Sequence, residues 1–159
     1  MNSPIALQPG DTLVYGRADL LDLAIELKTW SAACHVEIYA GDGMSFASRN
    51  GLGVDRYKYR AEQLIAVRRV PLDSRFEFAE AEQWFQDDAR HQKYDWLGLL
   101  CFTLAVKQGS PNKMFCSEFW KHFYHHGGYE VIAPEWPADK TAPAQCLQTP
   151  ALQTVWLAK

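Results

Sequence analysis

A chain of 159 residues, 48% apolar and 22% charged, has the balance of an ordinary globular domain and enough length for one core. Its net charge of −3 offers no basic surface, so nucleic acid is not an expected partner. The N-terminus has neither the basic nor the apolar region of a signal peptide, and the longest apolar stretch, 96–106, falls short of the ~20 residues that cross a bilayer. We therefore expect a single domain over 1–159 with no integral membrane segment, cytoplasmic as synthesised, with export by another route left open.

Pro9-Gly10-Asp11 marks a turn into a first strand at 12–15. Leu20, Leu23, Ala24 and Leu27 recur at three and four, which predicts a helix over 18–28. Strands follow at 34–40 and 44–48, joined by the Gly41-Asp42-Gly43 turn, and at 64–70. Ser74 is positioned to cap a helix over 75–90, and Asp95 to cap a nearly all-apolar helix reaching 106. A further helix runs from Phe115 to the Gly127-Gly128 break. The proline-rich stretch 134–150 shows no period and is expected to wrap the surface before a last strand at 153–157. The elements add up to an α+β fold, an antiparallel sheet packed against helices.

The chemistry concentrates in two segments. Met-Phe-Cys-Ser-Glu-Phe-Trp places Cys116 at a helix start, where unpaired backbone N–H groups and a partial positive charge favour thiolate over thiol. Cys-His-Val-Glu-Ile-Tyr is an alternating strand whose His35, Glu37 and Tyr39 share one face while Val36, Ile38 and Ala40 turn to the core. A thiol nucleophile needs a base, and an imidazole bonded to a carboxylate is both oriented and kept basic. Residues two apart on a strand lie ~6–7 Å apart at Cα, so Glu37 must lean toward His35 to serve. Tyr15, Tyr39, Trp96 and Trp120 are the aromatic candidates for a substrate cleft.

The ordered set Gly10-Asp11, His35-Val36-Glu37-Ile38-Tyr39, Gly41-Asp42-Gly43, Tyr94-Asp95-Trp96 and Cys116-Ser117-Glu118-Phe119 resembles the circularly permuted papain-like hydrolases. These are relatives of the NlpC-type cell-wall peptidases and of the lecithin:retinol acyltransferase group. The resemblance covers most of the chain and implies that His35 precedes the nucleophile Cys116, the reverse of papain. It implies a cysteine hydrolase of amides, such as cell-wall peptides, with an acyl-enzyme intermediate and no cofactor. An acyltransferase or acyl hydrolase and a catalytically decayed binding module are the alternatives. Many relatives carry a third polar residue twelve positions after the histidine, where this chain has Ala47. Glu37 stands at a position commonly small in relatives and is the candidate replacement, with Ser45 and Ser48 as weaker ones.

The remaining constellations point elsewhere. Four cysteines without a CxxC pair fit reduced thiols better than a disulfide framework. Cys34 points away from His35, and Cys101 sits in the most apolar helix, so both are expected to be structural. His122 and His126 lie four apart on a helix, yet no third ligand follows at a recognisable spacing, and no metal site is expected. Arg49, Arg56 and Lys58 fit a solvated stretch better than contacts to an acidic substrate.

Overall fold

The computed structural model describes residues 5–16, 31–95 and 113–158. The helix expected over 18–28 lies outside that set, as does the one expected to reach 106, with Trp96 and Cys101, beyond its cap Asp95. Six strands form one antiparallel sheet: β1 (Thr12–Tyr15), β2 (His35–Gly41), β3 (Met44–Arg49), β4 (Gly53–Lys58), β5 (Leu64–Arg69) and β8 (Gln153–Leu157), in the order β4-β3-β2-β1-β5-β8. Two short parallel strands, β6 (Lys93–Tyr94) and β7 (Lys113–Met114), pair beside it. The described chain also has three α-helices: α1 (Phe78–Trp84), α2 (Cys116–His126) and α3 (Pro143–Gln148).

One face of the sheet, with Val36, Ile38 and Phe46, packs against Phe119, Trp120 and Phe123 of α2 in the main core. Leu13, Tyr15, Leu64 and Val67 form a second apolar cluster. A directional hydrogen-bond chain locks α2 to β1. Trp120 Nε1 donates to Thr12 Oγ1 at 2.9 Å, Thr12 bonds the Tyr124 hydroxyl at 2.7 Å, and that hydroxyl donates to the Gly10 carbonyl at 2.6 Å. Two side chains of α2 and one of β1 thus fix the helix that carries Cys116 against the strand beside His35.

The Gly10-Asp11 turn has its own reason. Gly10 adopts φ +89°, and a Cβ there would stand 3.0 Å from the Phe76 ring, so only glycine fits without strain. Asp11, almost wholly buried, accepts two bonds from Arg69 at 2.7 Å each, tying the turn to the end of β5.

Three expectations are corrected. The helix expected from 75 begins at Phe78 after Glu77 rather than being capped by Ser74, because the Phe76 ring packs on Tyr124 and the Glu77 N–H bonds Gly127. Its last turn, Phe85–Ala89, widens to a π-helical turn. Strand β4 was not expected at all. The tail is more ordered than its prolines suggest: Ala138–Lys140 forms a 3-10 turn and Pro143 opens α3. Buried Arg68 holds this tail by donating to the carbonyls of Leu147, Thr149 and Leu152.

Gly53, at the start of β4, has φ +87°, and an added Cβ would overlap the Gln92 carbonyl oxygen. Because the contact is backbone to backbone, no side chain can swing away. Gly53→Ala is expected to destabilise the protein by about 2 kcal/mol or more, seen as a lowered urea midpoint with unchanged slope. A midpoint equal to that of the native chain would show that the strand and the 91–92 segment can part freely.

Candidate active site

Cys116 is the first residue of α2, and several bonds fix the approach to it. Ser48 Oγ of β3 donates to the Met114 carbonyl at 2.5 Å, and Ser117 Oγ donates to the Thr141 carbonyl at 2.6 Å. Glu118 reaches back to accept the Phe115 N–H at 3.4 Å. Buried Lys121 donates to the carbonyls of Ala133 and Trp136, which holds the 133–136 segment against the helix. The first backbone N–H groups of a helix have no intrahelical acceptor, so this start offers donors to an anionic atom beside the sulfur.

His35 opens β2 directly across from Tyr15 of β1, their ring centroids 5.9 Å apart. Its Nε2 lies 3.1 Å from Glu37 Oε1, so the lean required of neighbours two apart on one strand is made. Burial opposes charge on the ring, but the Cys116 sulfur and Glu37 outweigh it and push the pKa up to about 9. Cys116 is the strongest of these favourable influences, through its electrostatic interaction and its hydrogen bond with the ring. Both neighbours favour the charged form of the ring over what burial alone would allow.

Glu37 is 0% exposed, and its two oxygens are saturated. Oε1 accepts from His35, from Arg49 Nε at 2.8 Å and from Arg60 Nη2 at 3.2 Å. Oε2 accepts from Ser45 Oγ at 2.6 Å and from Arg49 Nη2 at 3.0 Å. Burial alone would raise its pKa, but His35 first and Arg49 next hold the carboxyl well below the usual range. Charge-assisted bonds of this kind are about twice as strong as neutral ones, and a buried carboxylate needs them.

Ala47 finds its explanation in this cluster. The register that pairs Ile38 with Phe46 and Tyr39 with Ser45 faces Glu37 with Ala47 one step further along. The methyl group leaves the space into which Glu37, Ser45 and Arg49 converge. A longer side chain at 47 and a glutamate at 37 would compete for the same volume.

The structure thus brings together Cys116, His35 and Glu37. The proposed aromatic set is less uniform. Trp120 is completely buried and spends its N–H on Thr12, and Tyr15 is nearly as buried, with its hydroxyl donated to the Arg60 carbonyl at 3.1 Å. Tyr39 is half-buried against Tyr59, and its hydroxyl accepts the Gly43 N–H at 3.1 Å. Trp120 is a packing residue of the α2 face rather than a cleft wall, and Tyr15 walls His35 from the side. Trp96 lies outside the described residues.

Arg49 and Arg60 are the partners that sequence reasoning missed. Strand alternation puts Ser45, Ala47 and Arg49 on one face, which was enough to aim Arg49 at Glu37 once β3 was paired with β2. Arg60 follows β4 in a loop and carried no such signal. Glu118, in the first turn of α2, was part of a motif but not of the chemistry. Burial, with Asp95 and Asp139 nearby, pushes its carboxyl up to about 7, so it carries only part of its charge at neutral pH.

Among the described residues the other two thiols, Cys34 and Cys146, are differently placed. Cys34 donates to the Ala32 carbonyl and Cys146 to the Ala142 carbonyl, each at 3.6 Å, and burial pushes Cys146 well up. His126 stacks on Trp84 with centroids 4.4 Å apart, and among the described residues no three His, Cys, Asp or Glu side chains gather where they would hold a metal.

The sheet, the helix bearing Cys116 and their connections define a mixed α/β fold with a six-stranded antiparallel sheet. The same fold occurs in the crystal structure of metalloprotein yiiX from Escherichia coli O157:H7 (DUF1105), which superposes with a TM-score of 0.63 at 18% identity, over 95% of this chain and 97% of that one. No protein-family model matches the sequence, and no curated protein does. Among the described residues no helix is long and apolar enough to cross a membrane.

Proposed function

We propose that this chain is a cysteine-nucleophile amide hydrolase of the circularly permuted papain-like type, working through an acyl-enzyme intermediate. The observation that carries the reading is the linked set of Cys116 at a helix start, the His35 ring in hydrogen-bond contact with it, and buried Glu37 bonded to that ring. The order of a histidine strand before a cysteine helix, on an antiparallel sheet, supports the permuted arrangement. Cell-wall peptides are the substrates that the sequence resemblance suggests.

In the proposed reaction, the Cys116 sulfur attacks the amide carbonyl carbon while its proton resides on His35 Nδ1, the ring nitrogen that Glu37 does not hold. The tetrahedral oxyanion takes backbone N–H donors at the start of α2. The C–N bond breaks as His35 passes its proton to the leaving amine, and a thioester to Cys116 remains. Water then attacks the thioester carbonyl and gives a proton to His35, the C–S bond breaks, and a carboxylic acid leaves. Glu37 keeps the ring oriented and its positive charge compensated in each half-reaction. The structural neighbour is described as a metalloprotein; the reaction proposed for this chain calls for no Lewis acid.

Limiting iodoacetamide near neutral pH, followed by peptide mapping, is expected to label Cys116 ahead of every other thiol. The labelled protein should lose amide hydrolysis, and EDTA should leave the hydrolysis of unlabelled protein intact. Faster labelling of Cys34 or Cys146, or loss of activity with EDTA that zinc restores, would overturn the thiol mechanism.

A further inference from the structure

The charges around Glu37 do not cancel. One carboxylate faces two guanidinium groups, and Asp55, the acid on neighbouring β4, is bonded to Arg90 at 2.9 Å instead. The Cys116 and His35 pair is neutral overall whether the proton sits on sulfur or on nitrogen, so it cannot absorb the extra positive charge. Arg49 is committed, giving Nε and Nη2 to Glu37 and a further bond to the Lys58 carbonyl at 3.1 Å. Arg60 is not. Its bond to Glu37 uses one of five N–H donors, and among the described residues its guanidinium makes no other hydrogen bond.

Arg60 is also the member of the cluster that faces outward. Its side chain is 43% exposed, against 16% for Arg49 and 17% for His35. Yet it is held in place. The guanidinium carbon lies 5.4 Å over the Tyr15 ring, and the Tyr15 hydroxyl grips the Arg60 backbone carbonyl. A fixed, solvent-facing guanidinium with spare donors, two hydrogen bonds from the His35 ring, is built to take a bidentate anion.

We propose that Arg60 is the anion-recognition residue of this site, and that the substrate is an amide bearing a free carboxylate close to the scissile carbonyl. The inference rests on the thiol-hydrolase reading above and adds the substrate class to it. The competing role is purely structural, with Arg60 acting only as a strut for Glu37.

Two alkylating reagents of nearly equal size separate the roles: iodoacetate carries the carboxylate and iodoacetamide does not. The ratio of their rates at Cys116, referred to the same ratio for free cysteine, reports anion recognition without requiring turnover. For the native chain that normalised ratio is expected to exceed one by about tenfold, the size of one charge-assisted bond, and to shrink in high salt. Arg60→Gln should bring it close to one, and Arg60→Lys should retain an intermediate value, since the charge stays and the fork is lost. Equal slowing of both reagents in Arg60→Gln would leave Arg60 a strut and overturn the proposal, as would a native ratio of one.

Should Arg60→Gln fail to fold, protection of the native chain decides. Glutarate should slow iodoacetamide at Cys116 while its neutral diamide at equal concentration does not, and equal effects would overturn the proposal. A Cys116 that neither reagent modifies would overturn the thiol reading and this one together. A reactive Cys116 with no preference for the anion would overturn this one alone.

Discussion

Cys116→Ser is expected to abolish amide hydrolysis and, in the same protein, to lower the pKa of His35 from about 9 toward its ordinary 6.5. The second effect is the more diagnostic. The sulfur is the strongest of the influences that keep the ring charged, so a hydroxyl that stays neutral removes it, while burial, which disfavours the charge, remains. Stability follows with a definite sign. A histidine whose folded pKa lies above its unfolded value contributes stability that is complete below about pH 6.5 and is lost as pH rises through about 9. The native chain should therefore lose stability across that window, and Cys116→Ser should lose less. Resonances of the His35 ring followed by NMR against pH, beside urea unfolding at several pH values, give both readouts. A His35 midpoint that is the same in both proteins would mean that sulfur and imidazole do not interact, and the proposed nucleophile would lose its base.

How much of this was legible in the sequence depends on whether a signal is periodic. Alternation in β2 put His35 and Glu37 on one face, and their 3.1 Å contact needs only that the side chains lean along the strand. The same alternation in β3 held the position of Arg49, but a strand's own pattern does not say which strand lies beside it. Arg60 belongs to a loop, where no period constrains direction. Strand β4 escaped notice because it is an edge strand whose Asp55, Arg56 and Lys58 interrupt the apolar pattern. In the tail, Pro143 at the start of α3 is itself a helix signal, masked by the prolines around it. Trp120 illustrates the opposite hazard: an aromatic next to a candidate nucleophile looks like a cleft wall, and only the 2.9 Å bond to Thr12, 108 residues away, assigns it to the core.

Glu37→Gln is expected to cost both stability and turnover, although the two side chains have almost the same shape. The carboxylate accepts five hydrogen bonds, three on Oε1 and two on Oε2. A glutamine amide must turn its NH2 toward one of these sets. On the first side it meets His35, Arg49 and Arg60; on the second it meets Arg49 again, where only Ser45 can reverse its role. Either way a donor faces a guanidinium, and Arg49, 16% exposed, loses its counter-charge. Breaking a buried pair from one side costs about 3–5 kcal/mol, which sets the expected loss in urea unfolding near neutral pH. The loss should narrow under acid: a carboxyl held below its usual range contributes stability that is present above about pH 4.5 and disappears as pH falls toward the depressed value. Turnover should fall by about a hundredfold or more, because His35 loses the charge that compensates its protonated form. Ala47→Glu sharpens the test. Alone it crowds a second carboxylate against Glu37 and should destabilise the chain. In the Glu37→Gln background it returns a negative charge beside Arg49 and Ser45, and it should recover part of the lost stability and rate. Full turnover in a folded Glu37→Gln protein would show that the buried carboxylate serves the two arginines and that His35 takes its orientation from another group.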